Sequence, residues 1–227
     1  MSFQIAIDGP AGAGKSTIAR LVAEKLQFIY VDTGAMYRAM GLYMHDSNID
    51  VSDRRAVESR AEEADIAIRF FDGEQQVFLN GENVTGRVRT EQAGMLASSV
   101  SAYPGVRKRL VQLQQKLGNS QNVVMDGRDI GTAVLPCAQL KIFLTASVET
   151  RANRRYLELK KKGQAAELSE IAKDIALRDY QDTHRDASPL AQAQDAVLLD
   201  SSDLSIEEVA QKILALYAER EILWKEK

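Results

Sequence analysis

A glycine, four residues and then Gly-Lys-Ser run through Gly9-Pro10-Ala11-Gly12-Ala13-Gly14-Lys15-Ser16, and Thr17 follows. That spacing is what a loop needs to wrap the phosphates of a nucleoside triphosphate. Glycines let the backbone curl until successive amide N–H groups point inward at phosphate oxygens. Lys15 then reaches the β and γ phosphates, and the Ser16 hydroxyl is placed for Mg²⁺. Thr17 adds a second hydroxyl near the phosphates. A purely structural turn would also use glycine, but it would leave Lys15 at the positive end of a helix dipole, where a cation is disfavoured without an anion nearby. Gly12-Ala13-Gly14 also begins a dinucleotide-type Gly-x-Gly pattern, with Asp32 where a ribose-binding acid would stand. Thr17 occupies the third glycine position and weakens that reading.

Positive charge recurs as arginine at Arg38, Arg107, Arg128, Arg151, Arg154, Arg155, Arg178 and Arg185. The planar guanidinium fork grips two phosphate oxygens and keeps its charge, so such a set beside a phosphate loop points to a second anionic substrate. Any one of them alone would read equally well as a solvated surface residue. The acid ending the apolar run Asn122-Val123-Val124-Met125 is Asp126. It is placed either to assist Mg²⁺ or its water shell, as in a Walker B arrangement, or to serve as a turn or cap acid.

These residues need a scaffold of alternating strands and helices. Phe3 to Ile7 reads as a buried strand feeding the loop, and Ser16 to Leu26 as the helix leaving it, with Ile18, Leu21, Val22 and Leu26 at helical spacing. Phe28 to Val31 is a second strand, after which Asp32 or Thr33 caps a helix to about Met44. Ser52 to Ala64 reads as a helix. Short runs at Ile66 to Phe71, Gln75 to Leu79 and Glu82 to Val84, punctuated by Asp72-Gly73 and Asn80-Gly81, read as hairpins. They form a small antiparallel insert. Helices over Glu91 to Ser101 and Val106 to Leu117 follow, then buried strands at Val123 to Met125 and Leu140 to Leu144. A basic helix runs from Val148 to Lys162, Gly163 punctuates it, and another helix reaches about Thr183. A last strand covers Ala196 to Leu199, and Ser205-Ile206-Glu207-Glu208 is a capping box for the closing helix. The alternation implies a doubly wound parallel sheet with ligands at the carboxyl ends of its strands. Gly9 to Ser16, Asp32 to Arg38 and Asp126 to Asp129 all fall at such ends.

A chain of 227 residues is long enough for one large α/β domain with an insert. The expected division is a core of residues 1–65 and 102–227 with an inserted subdomain over 66–101. No apolar run approaches the roughly 18 residues that span a bilayer, and no signal-like segment precedes the first strand. A cytoplasmic protein, not attached to membrane, is expected. A net charge of −3 argues against a general nucleic-acid binder. The single Cys137 fits a reducing compartment and reads as packed rather than catalytic. His45 and His184 are too few and too separated for a metal site.

Taken together, these motifs resemble bacterial-type cytidylate kinases over essentially the whole chain. The resemblance rests on I-D-G-P-A-G-A-G-K-S-T at Ile7 to Thr17, D-T-G-A-M-Y-R at Asp32 to Arg38, V-T-G-R-V-R-T at Val84 to Thr90, P-G-V-R at Pro104 to Arg107, D-G-R-D-I-G-T at Asp126 to Thr132, K-I-F-L-T-A at Lys141 to Ala146, and the Arg178 to Arg185 segment. It implies an α/β fold, a P-loop NTPase-like parallel sheet flanked by helices with a small antiparallel β insert, residues 66–101, that binds the acceptor and a helical lid at about 148–165 within the core. It also implies transfer of the γ-phosphate of ATP, with Mg²⁺, onto CMP or dCMP. A kinase for another small acceptor such as UMP is the alternative. By the same resemblance, Arg38, Arg128 and Arg185 would hold the acceptor's phosphate, with Thr33 and Tyr37 lining the cleft. Ser98, Arg107 and Asp129 would read the cytosine edge, Arg178 and Asp182 would contact the sugar, and Arg151, Arg154 and Arg155 would belong to the lid over ATP. A monomer is expected.

Overall fold

The computed structural model describes residues 2–71 and 74–226. Five parallel strands, β1 (Gln4–Asp8), β2 (Ile29–Asp32), β6 (Val123–Gly127), β7 (Leu140–Thr145) and β8 (Val197–Asp200), form the central sheet in the order β2-β6-β1-β7-β8. The expected strands are all present, each within a residue or two of its expected ends. Ile5, Ile7, Leu140, Ile142 and Leu144 face α1 (Lys15–Leu26) and α8 (Ile206–Lys225), while Ala6, Val31, Val123 and Met125 face the other way. Both faces are thus covered by apolar side chains, the reason these strands read as continuous rather than alternating hydrophobic runs.

Parallel register decides where the chemistry sits. Asp8 at the end of β1 lies beside Gly127 of β6 and Phe143 of β7, and Asp32 at the end of β2 lies beside Asp126. The phosphate loop, the Asp32 turn and the segment after β6 therefore leave the sheet along one edge.

Strands β3 (Ile66–Phe71), β4 (Glu74–Leu79) and β5 (Glu82–Asn83) make a separate antiparallel sheet. Gly81 takes a φ of +84°, as the Asn80-Gly81 turn requires. The turn expected at Asp72-Gly73 lies outside the described residues. This insert shares its core with the main body: Val77, Leu79, Val84 and Val88 pack in one cluster with Met36, Met40 and Met44 of α2 (Thr33–Asp46) and with Val106 and Leu110 of α5 (Pro104–Ser120). α4 (Glu91–Val100) lies close on α2, where a Cβ on Gly41 would fall 2.7 Å from Leu96 Cβ. The basic helix is α6 (Val148–Lys161), followed by α7 (Leu168–His184).

Local chemistry moves several boundaries. α3 (Arg54–Ala61) is shorter than Ser52 to Ala64, because Asp53 accepts the Ala56 N–H as its cap and Ser52 is held by the Asp50 carboxylate. α5 begins at Pro104, which suits a first helical position that has no N–H to satisfy. Strand β6 runs on to Gly127, so Asp126 is a strand residue, and a π-helical turn at Ile130–Val134 follows that no periodicity announced. Cys137 is exposed rather than packed: its neighbours Leu135 and Ala138 take the inward positions of the turn after Pro136. The capping box at Ser205 and Glu208 forms as expected. Among the described residues no helix is long and apolar enough to cross a membrane.

Candidate functional site

The loop after β1 is held by its glycines. Gly9, at a φ of +148°, passes so near β7 that a Cβ would sit 1.9 Å from the Leu144 carbonyl oxygen, and Gly12 and Gly14 also take positive φ. Lys15, the first residue of α1, is buried and donates from Nζ to the Pro10 carbonyl at 2.7 Å. Burial first, and the Arg128 charge second, push its ammonium down to about 7, a state that phosphate oxygens in the loop would reverse.

Beside the loop, Asp126 is gripped by two hydroxyls: Ser16 Oγ donates to Oδ2 and Tyr30 Oη to Oδ1, each at 2.9 Å. Burial, reinforced by the neighbouring Asp32 charge, raises Asp126 to about 6 against the pull of Lys15. Asp32 caps α2 through the Ala35 N–H and pairs with Arg38 at 2.8 Å. Thr33 Oγ1 donates to the Asp126 carbonyl at 2.8 Å, tying the start of α2 to β6.

A cleft of about 970 Å³ runs from this loop toward the insert. On its far side Arg107 donates to Asp129; the two side chains are 4 % and 5 % exposed, so the pair is withdrawn from water. Burial works against the Arg107 charge, but Tyr37 and Asp129 outweigh it and raise the guanidinium pKa. Arg107 also stands 5.3 Å from the centre of the Tyr37 ring. Arg185 approaches Asp129 at 3.9 Å and Asp182 at 3.7 Å, and Asp182 accepts from Arg128 Nε at 2.8 Å. Burial, and then the like charge of Arg107, lower the Arg185 pKa. Tyr37 Oη, Arg38 Nε and Arg107 Nε are buried with no hydrogen-bond partner among the described residues. Buried donors left unmatched cost stability.

The profile of the cytidylate kinase family matches residues 5–219. The chain belongs to the cytidylate kinase family. It is 53 % identical to a cytidylate kinase of Caldicellulosiruptor bescii, covering 95 % of each chain, and 51 % identical to one of Listeria innocua over 96 % of each. Its fold is similar to that of shikimate kinase from Bacteroides thetaiotaomicron (TM-score 0.50, 16 % identity, 95 % of this chain and 98 % of that one). A gluconokinase from Sinorhizobium meliloti is similar to the same degree (TM-score 0.50, 13 % identity, 99 % and 97 % covered). At such identities the likeness concerns the fold alone: a parallel sheet flanked by helices.

Within this cytidylate kinase fold, the cleft brings together most residues singled out in the sequence. Ala11 to Thr17, Asp126 and Arg154 are among its lining residues, as are Thr33, Tyr37, Arg38, Ser98, Arg107, Arg128, Asp129, Arg178, Asp182 and Arg185. Gly9 and Pro10, the first two residues of the loop, are not part of the cleft lining. Of the three α6 arginines only Arg154 lines the cleft, where it also donates to the Ser201 carbonyl and hydroxyl. Arg151 is buried and donates to the Ala11 and Ala146 carbonyls and to Asp179, bracing the loop from behind. Arg155 pairs with Glu158 at the surface. Asp129 neither caps its helical turn nor pairs with Arg128; its partner is Arg107.

Sequence reasoning passed over three participants. Tyr30 sat inside a strand without apparent duty, Asp179 sat on a helix with no periodic cue, and Asp8 was merely the residue before the loop. Only their placement against Asp126, Arg151 and the turn after β6 gives them a role.

Proposed function

We propose that the chain transfers the γ-phosphate of ATP to CMP or dCMP, giving CDP or dCDP. The observation that carries this reading is the buried Arg107–Asp129 pair facing the same cleft as the phosphate loop. Cytosine has an amino donor where uracil has a carbonyl. A carboxylate at that edge accepts from the first and repels the second, while Arg107 donates to the ring's acceptors.

Phosphoryl transfer asks the protein for position and charge. Ala11 to Lys15 surround the triphosphate with backbone N–H groups, and Lys15 neutralises charge that grows on the transferring group. Arg38, Arg128 and Arg185 hold the acceptor phosphate. Arg178 and Asp182 contact the sugar, Ser98 adjoins the base, and Thr33 and Tyr37 shape the wall. The donor set next to the loop, one hydroxyl of Ser16 and the carboxylate of Asp126, is all oxygen. That suits Mg²⁺ that keeps waters and takes its other ligands from phosphates. When bound, the ion supplies further neutralisation of the phosphate oxygens.

Arg154 is the α6 residue that reaches ATP, and Arg151 acts through the loop it braces. We propose that residues 66–101 and about 148–165 close on the cleft when both nucleotides are present, excluding the water that would otherwise hydrolyse ATP. We further propose that the chain acts as a monomer, and ATP as co-substrate supports a cytoplasmic setting. The test is a coupled ADP-release assay with ATP-Mg²⁺ and CMP, dCMP, UMP, AMP or GMP. CMP and dCMP should be turned over and the purine nucleotides left nearly inert. Equal turnover of AMP and CMP, or no ADP with CMP, would refute the proposal.

A further inference from the structure

Asp8 has no part in the chemistry above, yet its surroundings are among the most specific in the molecule. It is the last residue of β1, 4 % exposed, and the chain beyond it is pinned at Gly9 against Leu144. Its two carboxylate oxygens accept the Ile130 and Gly131 N–H groups, each at 2.7 Å, across more than 120 residues of sequence. Those two amides open the π-helical turn Ile130–Val134, where the first N–H groups have no carbonyl within the turn to donate to. Asp129, the residue that would ordinarily cap such a turn, makes no capping bond. Its carboxylate is committed to Arg107 and Arg185.

We infer that Asp8 is a positioning residue for acceptor recognition: it caps the turn in place of Asp129 and so frees and aims the Asp129 carboxylate into the cleft. The inference rests on the reading of Asp129 as the base-facing acid. A carboxylate is the group for this task because both oxygens accept and neither donates. Asparagine would turn an NH₂ toward one of the two amides. Gly131 fits the same account: a Cβ there would lie 3.3 Å from Asp8 Oδ2 and 3.1 Å from Lys141 Cδ, crowding the bond. Fixing Ile130 and Gly131 sets the backbone immediately after Asp129. The hydrogen bonds of Asp8 serve the acceptor side, since Lys15 and Ser16 bond to Pro10 and Asp126 instead; what Asp8 offers the loop is its charge, which favours the Lys15 ammonium and would show in kcat rather than in KM for CMP.

The experiment combines amide hydrogen exchange with steady-state kinetics on the wild type, Asp8→Asn and Asp8→Ala. In the wild type the Ile130 and Gly131 amides should exchange as slowly as those of the adjoining strand β6. In folded Asp8→Ala both should exchange faster, KM for CMP should rise roughly tenfold, and the CMP-to-UMP ratio of kcat/KM should narrow, while KM for ATP stays within about twofold. Asp8→Asn, with one acceptor left, should fall between. A lower melting temperature with unchanged KM and ratio, unchanged exchange at both amides, or equal rises in the two KM values would overturn the latch. If Asp8→Ala does not fold, the wild type decides: amides that exchange like free ones overturn it, and protected ones support it. If the wild type shows no turnover of CMP, the proposed function fails, and the exchange comparison alone judges the cap.

Discussion

Replacing Asp129 by alanine removes the carboxylate that the Proposed function turns toward the base, and the structure sets what that should cost. Asp129 and Arg107 are almost wholly withdrawn from water, and Arg185 stands 3.9 Å away, so the change leaves two guanidinium groups in a buried pocket with no carboxylate between them. Breaking a buried pair by deleting one partner costs about 3–5 kcal/mol. The lower end applies here, since Arg107 keeps its bond to the Ser101 carbonyl and the Tyr37 ring, and Arg185 keeps the Ser188 carbonyl. At about 2–4 °C per kcal/mol for a chain of this size, the melting temperature should fall by roughly 6–12 °C. Base choice should suffer separately. A polar group left unmatched or opposed discriminates by about 1–3 kcal/mol, so the CMP-to-UMP ratio of kcat/KM should narrow by about 5- to 150-fold, with KM for ATP little changed. The assay is coupled ADP release at 25 °C, well below the variant's melt, with CMP and UMP titrated in parallel. Asp129→Asn makes a sharper companion, because its amide offers uracil a donor: UMP should hold or gain while CMP loses. Equal proportional losses for CMP and UMP, or an effect confined to KM for ATP, would refute Asp129 as the base reader.

Lys15→Ala deletes the point charge but leaves the loop's backbone donors, so kcat should fall by a factor on the order of 10² or more in a normally folded protein, and near wild-type kcat would show the loop is not catalytic. Arg154→Ala should raise KM for ATP and leave KM for CMP nearly unchanged, whereas Arg155→Ala, which removes a side chain outside the cleft lining and reaches the cleft only through its partner Glu158, should raise KM for ATP far less; titrating each substrate at saturating levels of the other separates them. Asp126 should leave a signature in stability against pH. Its pKa is raised in the fold to about 6 from the ordinary 3.8, so the folded state holds the proton more tightly and stability attached to that group is lost as pH rises from about 4 through 6. Asp126→Asn carries no such proton, so its melting temperature should gain several degrees on the wild type between pH 4.5 and pH 7. A constant difference across that range would count against the burial of the charge.

Much of this protein is legible in one dimension because its signals are local. The phosphate loop depends on glycines that must adopt positive φ within six residues of one another, so Gly9, Gly12 and Gly14 announce it wherever it folds. Strand and helix order followed from hydrophobic periodicity, and caps at Asp32 and Ser205 from side chains bonding their own neighbours. Even the arginines that line the cleft stood out by type, since few side chains can hold a phosphate by two bonds.

What the sequence could not determine were pairings between residues far apart in the chain. Nothing near Asp129 says that its partner is Arg107 rather than Arg128; that choice is made where α5 packs against the π-helical turn after β6. Nor does the basic run of α6 say which arginine faces the nucleotide. Arg151 and Arg155, four residues apart, share one face of the helix, and what separates them is depth along it: Arg151 in the first turn is packed against Ala11 and Asp179, Arg155 one turn further on pairs with Glu158, and Arg154 beside them lines the cleft. The π-helical turn after β6 is fixed by Asp8, a residue on the neighbouring strand brought into register by parallel pairing. Periodicity and capping act within a few residues of chain, whereas a buried carboxylate takes whichever donors the packed sheet places beside it.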